Sequence, residues 1–504
     1  MDPRARSPEC SLAIPPPAAT PRFRHILCVY PYRRELNRAG FLPPLGLECI
    51  AAVLKPWARR IDLVDLRWEA GRTRDFLRPE TDLVAFSVNW DRETAFVEEE
   101  IRSVPPGVFT LVGGRHATED PERWLRACPN ITALVRGEGE EIAAEICRGV
   151  PLGQISGVSF RQNGDIRHNP NRALGPVWDN AFPDRRLRRH VYEMALEGIR
   201  LGPAVDLVAT SRGCPFNCTF CNFSRNPLGE KRAWSARSPE SVVAELAQVK
   251  APLVGFTDDL FTWDMDRVER ICDLLVARGI RKKYIVNARL EVARRPDVLR
   301  KMERAGFLVL LVGIESAHDK TLRSMRKGFD VAKIRECFRV LRDRALFLHG
   351  YFIVGNIGES VEEMGRIPSF AHELGLDTIA LTMLRHSPYS GLDELVARSP
   401  GYHIAPHGKI YSDQCSIQEL RALVRRLKWE FYTPGHILRV LGKASRLGVG
   451  QFLPRLAVRL PALVWQLTAH YRRRAKRRAD RGAAVAPAAS AVRAPAPPAR
   501  YPIT

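Results

Sequence analysis

A chain of 504 residues, 45% hydrophobic and 27% charged, is long enough for two or three domains with sizeable cores. Its 11 cysteines are thinly spread and the Pro/Ala-rich start holds no continuous apolar leader, so the expected setting is a reducing cytoplasm and not a disulfide-forming compartment. The formal net charge of +22 raises nucleic acid as a partner, but seven of the basic residues crowd into Arg472 to Arg481 and the stretch after residue 440 shows no RNA-binding module; no nucleic acid is expected.

In chain order, residues 1–22 are expected to be a disordered tail. Residues 23–150 alternate short apolar strands with helical stretches: His25–Tyr30, Ile61–Leu66, Leu83–Val88, Phe109–Val112 and Ala133–Val135 are strands, and Leu45–Leu54 is a helix opened by Pro43-Pro44. This alternation predicts an α/β domain with a doubly wound parallel sheet. Ligands of such sheets sit beyond the carboxyl ends of the strands. Those ends carry Tyr30-Pro31, Ser87 to Trp90, and Gly113-Gly114 with Arg115 and His116. A glycine pair permits close backbone approach to a bulky ligand, although such pairs also make ordinary turns.

Residues 151–204 lack strong periodicity and read as a linker. From 205 to 400 a second series follows, with strands at Val205–Thr210, Leu253–Thr257, Tyr284–Asn287, Leu308–Ile314, Tyr351–Val354 and Thr378–Leu384. Six strand–helix units predict a partial (β/α)6 barrel with its chemistry at the C-terminal strand ends. Residues 401–471 read as a helical C-terminal region. Within it Phe452–Tyr471 is strongly apolar, yet Arg455, Arg459, Pro454 and Pro461 argue against a membrane span. Two readings stay open: an interfacial anchor whose neighbouring basic run meets anionic headgroups, or a helix packed on the core. The basic, Ala/Pro-rich residues 472–504 read as disordered.

The most specific motif is the Cys-x3-Cys-x2-Cys triplet of Cys214, Cys218 and Cys221, on a loop directly after a strand. Three thiolates on one loop can hold three irons of a [4Fe–4S] cube and leave the fourth open. Structural zinc wants four ligands in two close pairs, and the next cysteine, Cys272, is remote in sequence. After the second core strand stand Asp258, Asp259 and Phe261. Paired aspartates there can accept hydrogen bonds from an ammonium group or cap the following helix. Arg289 ends the third core strand and Glu315 the fourth; they can bind a carboxylate and ribose hydroxyls, or pair with each other across the barrel mouth. No Ser-His-Asp, His-Glu-x-x-His or Walker pattern competes, and no general base stands out.

The triplet, with the aromatic Phe220 just before its third cysteine, resembles the radical S-adenosylmethionine (radical SAM) superfamily. The resemblance implies that the open iron chelates SAM and that an electron from the cluster generates a 5′-deoxyadenosyl radical. It also implies that Asp258 or Asp259 meets the SAM amino group, that Arg289 and Glu315 reach its carboxylate or ribose, and that Gly350–Gly355 lies against adenine. Pro43–Leu47, Val112–Ala117 and Arg136–Glu141 together look like the cobalamin-binding domain found ahead of many radical SAM enzymes, which places Ser87, Gly113 and Gly114 at a cobalamin. One departure is visible: the loop from Tyr30 to Pro44 contains no histidine, so no histidine from that loop is expected below the cobalt.

Ser87–Asp91, Val112–Arg123, Gly255–Phe261 and Gly355–Ser360 resemble most the hopanoid C-3 methylases. That implies a cobalamin-dependent C-methylation using two SAM molecules, one as methyl donor through methylcobalamin and one as radical source. It further implies a hopanoid lipid substrate, an electron donor such as ferredoxin or flavodoxin, and peripheral contact with the inner face of the cytoplasmic membrane. Antibiotic or peptide methylation and tetrapyrrole ring cyclisation share both domains and remain alternatives.

Overall fold

The computed structural model describes residues 21–33, 42–177, 182–196 and 199–448. The apolar segment 452–471 and the basic run after it lie outside the described residues. Two seven-stranded sheets dominate, each with its own buried apolar cluster.

The first sheet contains β1 (Phe23–Tyr30), β2 (Ala58–Asp65), β3 (Thr81–Ser87), β4 (Phe109–Gly113), β5 (Ala133–Val135), β6 (Val158–Gln162) and β7 (Asp165–His168). Its order is β2-β1-β3-β4-β5-β6-β7, parallel through β5 and antiparallel thereafter. β1 is buried along nearly its whole length, as expected of a central strand covered on both faces. The strand order reverses between β1 and β3, and a crevice opens at such a switch point.

The second sheet holds β8 (Glu193–Leu196), β9 (Ile199–Val208), β10 (Leu253–Phe256), β11 (Lys283–Ala288), β12 (Phe307–Glu315), β13 (Phe347–Val354) and β14 (Thr378–Met383). Its order is consecutive, β14-β13-β12-β11-β10-β9-β8. β9 to β14 are all parallel, which is the six-stranded half-barrel, and β8 runs antiparallel at its edge. In β11 and β13 buried residues alternate with half-buried ones. One face therefore packs under the helices and the other lines the barrel interior.

Two stretches differ from expectation. The 151–204 segment is not a bare linker: β6 and β7 extend the first sheet, and β8 with the start of β9 extends the second. The turn between β6 and β7 is Asn163-Gly164, both at positive φ (53° and 89°), an Asn-Gly hairpin signal that is present in the sequence. The region after 400 opens with a small antiparallel hairpin, β15 (Tyr402–Ile404) and β16 (Ile410–Ser412), before helices at Ile417–Phe431 and Pro434–Arg446.

Candidate functional site

The cysteine loop leaves the end of β9 and is tied down on several sides. Cys221 N–H donates to the Cys218 carbonyl at 3.1 Å, Thr219 N–H to the Met325 carbonyl at 3.1 Å, and Phe223 N–H to Cys221 Sγ at 3.4 Å. Phe220 is half-buried against a small cluster that includes Met325, Ile353 and Leu384. Cys218 is buried and the other two cysteines are half-buried. Burial pushes the Cys221 thiol up to about 12, so a bound cation must help displace its proton.

Two cations face this loop. The Arg289 guanidinium lies 3.5 Å from the Phe216 ring centroid, donates to the Lys327 carbonyl at 2.7 Å and approaches Cys218 Sγ at 3.9 Å. Lys327 pairs with Glu315 at 2.9 Å and stands 5.6 Å above the Phe220 ring. The expected alternative of an Arg289–Glu315 pair is thus corrected: Glu315 takes Lys327, and Arg289 stacks on the cysteine loop. Glu315 holds a left-handed φ of 72°, a strained conformation for a residue with a side chain. Gly313 makes room for the pair, since a Cβ there would lie 2.5 Å from Glu315 Oε1 and 3.0 Å from Lys327 Nζ. Donors and cations around three thiols suit an anionic iron–sulfur cluster, whose sulfurs accept hydrogen bonds.

The paired aspartates divide their work. Asp258 is fully buried and accepts from Thr210 N–H at 2.7 Å, Ser211 Oγ at 2.7 Å and the Thr210 hydroxyl. Its carboxylate is committed to the strand end that launches the cysteine loop. Asp259 accepts one bond, from Gly213 N–H at 3.0 Å, and burial pushes its pKa up to about 6. Neither caps the next helix; Asp264 does so by accepting from Arg267 N–H. The glycine segment of β13 runs into a loop braced by Glu359, which accepts from Ser316 Oγ at 2.9 Å and Asn356 Nδ2 at 2.7 Å.

Ser87, Gly113 and Gly114 line one cavity at the carboxyl ends of β3 and β4. Leu47, Ile50 and Phe86 give it apolar walls, and Asn89 and Glu138 give it polar ones. Gly114 is required by the fold itself: at φ 106° a Cβ would meet the Val88 carbonyl at 2.6 Å. Asn89 fixes the rim by donating to Ser87 Oγ at 2.9 Å and accepting from Arg115 N–H at 3.1 Å. Apolar walls with glycines that allow close backbone approach suit a flat, bulky ligand such as a corrin, and none of the described residues lining the cavity is a histidine. His116 stacks edge-on against Trp124, with ring centroids 5.7 Å apart.

The cavity also touches the second sheet's loops through Arg212, two residues before Cys214. Glu138 pairs with Arg212 at 3.0 Å and with Arg232 at 2.7 Å, and Glu140 also pairs with Arg212. Beside Glu140 the guanidinium is held protonated well above its ordinary range. The acids of Arg136–Glu141 therefore clamp the cysteine loop to the first sheet. Sequence reasoning placed this stretch in the cobalamin domain but missed the clamp, as it missed Lys327.

The domain matches follow the same division. Residues 36–147 match the B12-binding domain and residues 208–371 the radical SAM superfamily. The chain is therefore a cobalamin-dependent radical SAM enzyme, whose domains imply a [4Fe–4S] cluster, SAM and cobalamin as cofactors. Its relatives include both methyltransferases and ring cyclases. It is 29% identical over 376 residues to an uncharacterised methyltransferase of Pyrococcus horikoshii, covering 71% of this chain and 78% of that one. A hopanoid C-3 methylase of Methylococcus capsulatus is 27% identical over 63% of this chain and 62% of its own. An anaerobic magnesium-protoporphyrin IX monomethyl ester cyclase of Cereibacter sphaeroides is 28% identical over 57% of this chain and only 48% of its own. In fold, the chain is similar to the radical SAM methyltransferase TsrM of Kitasatospora setae, solved with cobalamin and a [4Fe–4S] cluster: TM-score 0.64 at 16% identity, covering 82% and 90% of the two chains.

Proposed function

We propose that this enzyme is a C-methyltransferase acting on a hopanoid lipid at C-3. The observation that carries the methylation reading is Arg212, which lines the corrin-shaped cavity and stands two residues from Cys214. This adjacency supports two neighbouring cofactor sites, as a reaction needing both at one substrate carbon requires. When bound, the cluster with SAM supplies a carbon-centred radical and cobalamin supplies the methyl group.

The chain's own residues would bind and orient. Cys214, Cys218 and Cys221 hold three irons, with Arg289 and Lys327 offsetting the thiolate charge. Phe220 packs the loop from behind. Asp259, with one carboxylate oxygen lacking a protein partner among the described residues, receives the SAM ammonium, and Asp258 keeps the loop in register. Glu315, fixed by Lys327, faces the ribose. Ser87, Gly113 and Gly114 form the corrin floor. A ferredoxin or flavodoxin would supply the electron, and the lipid substrate calls for peripheral contact with the cytoplasmic membrane. Among the described residues no helix is long and apolar enough to cross one.

Hopanoid methylation is tested by lipid analysis of a hopanoid-producing bacterium with and without the gene. Ring-A methylated hopanoids should appear with the wild type and not with Cys218→Ala. Unchanged lipids in a host that makes hopanoids and active cluster would sink the substrate assignment. Ring cyclisation of a tetrapyrrole is the second reading, supported by the cyclase relative; its product gains a ring and no methyl, which mass spectrometry separates.

A further inference from the structure

The helix Pro434–Arg446 is amphipathic the wrong way round for a helix lying on a protein core. It docks through polar side chains: His436 Nε2 bonds the Asp377 carbonyl at 2.9 Å, Arg439 donates to the Leu376 carbonyl at 2.9 Å, and Lys443 pairs with Asp377 at 2.6 Å. Its largest apolar residues face water instead, with Leu438 69% exposed, Ile437 45% and Leu441 39%, while only Ala444 among its apolar side chains is buried. The preceding helix, Ile417–Phe431, buries Leu420, Leu423, Leu427 and Phe431 in the ordinary way. It nevertheless leaves Trp429 77% exposed, on the same helical face as exposed Arg425 and Arg426. Large apolar side chains left exposed on two successive helices are a feature of interaction surfaces.

We propose that these two helices form a docking face for an anionic lipid surface, with Trp429, Ile437, Leu438 and Leu441 entering the headgroup layer. Charge selects the occupant. Apart from Arg439 and Lys443, which dock onto Leu376 and Asp377, residues 417–446 carry five Lys and Arg against two Glu, so the face attracts acidic headgroups and repels a second copy of itself. The sequence that follows carries seven further Lys and Arg within residues 472–481, which adds to the chain's attraction for an anionic surface. Tryptophan and leucine at an interface with arginines beside them are the composition that lies in the headgroup plane. The inference extends the lipid-substrate reading, but its readout needs neither substrate nor cofactor.

The test is vesicle co-sedimentation of the full-length protein. Phosphatidylglycerol-containing vesicles should retain it, pure phosphatidylcholine vesicles should not, and salt should release it. The triple substitution Trp429→Ser, Leu438→Ser, Leu441→Ser should weaken retention at least about tenfold, because each large apolar side chain moved from water to lipid contributes on the order of a decade in partition. The charge reversal Arg425→Glu, Arg426→Glu keeps the apolar face intact and should lower retention on anionic vesicles alone. Retention that is equal on neutral vesicles, or unaffected by both variants, overturns the proposal, as does a stable dimer in light scattering that the triple variant dissociates. Failure of vesicle binding leaves methylation of a detergent-dispersed hopanoid untouched, so the two readings fall separately.

Discussion

Asp258 and Asp259 are neighbours in sequence and opposites in environment. Asp258 has its oxygens taken by Thr210 and Ser211, whereas Asp259 accepts only from the Gly213 amide. Asp258→Ala should strand a buried amide and two hydroxyls at the root of the cysteine loop. The expected loss is about 2–4 kcal/mol of stability together with a fall in iron incorporated on reconstitution, read by iron and sulfide analysis. Asp259→Asn should retain the cluster and weaken SAM binding by about tenfold or more, the scale of one charge-assisted hydrogen bond, read by equilibrium binding. If Asp259→Asn loses iron and Asp258→Ala keeps it, the division of labour is reversed. The cysteine triplet was legible in the sequence because its spacing is local. The partners of Arg289 and Glu315 were not: Lys327 reaches both from a separate loop, and only the fold brings the three together.

The two strand–helix series could be read from apolar runs because parallel strands are buried on both faces. β7 escaped because nearly all its residues are exposed, which leaves no apolar run to see; only the Asn-Gly turn announced it. β13 shows what a strand's inner face adds beyond that pattern. His349 bonds Thr378 Oγ1 across to β14 at 2.7 Å and meets the Tyr351 ring edge-on at 4.8 Å. Burial pushes its pKa down to about 4. The folded state therefore resists a proton that the unfolded chain accepts at about 6.5. The contribution is fully present above about pH 6.5 and is lost as pH falls from there to about 4. Chemical denaturation should show stability declining across that window by on the order of 2 kcal/mol from this group. His349→Gln should flatten that part of the profile while preserving a bond to Thr378. An unchanged slope would place the acid sensitivity elsewhere.

At the scale of the molecule, a buried ionic network joins a helix packed on the first sheet to a strand of the second. Arg188 donates to both oxygens of Glu48, on the helix after β1, at 2.6 and 2.7 Å, and to both oxygens of Asp206, in β9, at 2.9 and 2.8 Å. Glu48 is fully buried, and Arg185 extends the network from Asp206 to Glu245. Both arginines lie in the stretch whose lack of periodicity reads as linker, because a residue that works by bridging two domains leaves no repeat in its own neighbourhood. The network and the Glu138–Arg212 clamp fix the cavity lined by Ser87, Gly113 and Gly114 against the cysteine loop, so the relation between the two proposed cofactor sites depends on how the sheets dock. Removing one member of a buried ionic network costs about 3–5 kcal/mol, since the remaining charge keeps its desolvation penalty without its partner. Arg188→Ala should therefore split the thermal unfolding of the cofactor-free protein into two calorimetric transitions, the sheets melting in turn. The paired replacement Arg188→Met with Glu48→Leu removes both charges, leaves Asp206 to Arg185, and should recover most of the lost stability. A single unshifted transition in Arg188→Ala would show that the remaining contacts, the Glu138–Arg212 clamp among them, suffice to hold the sheets in place. Recovery of stability without recovery of activity in the paired variant would show that the bridge sets the angle between the two cofactor sites as well as holding them together.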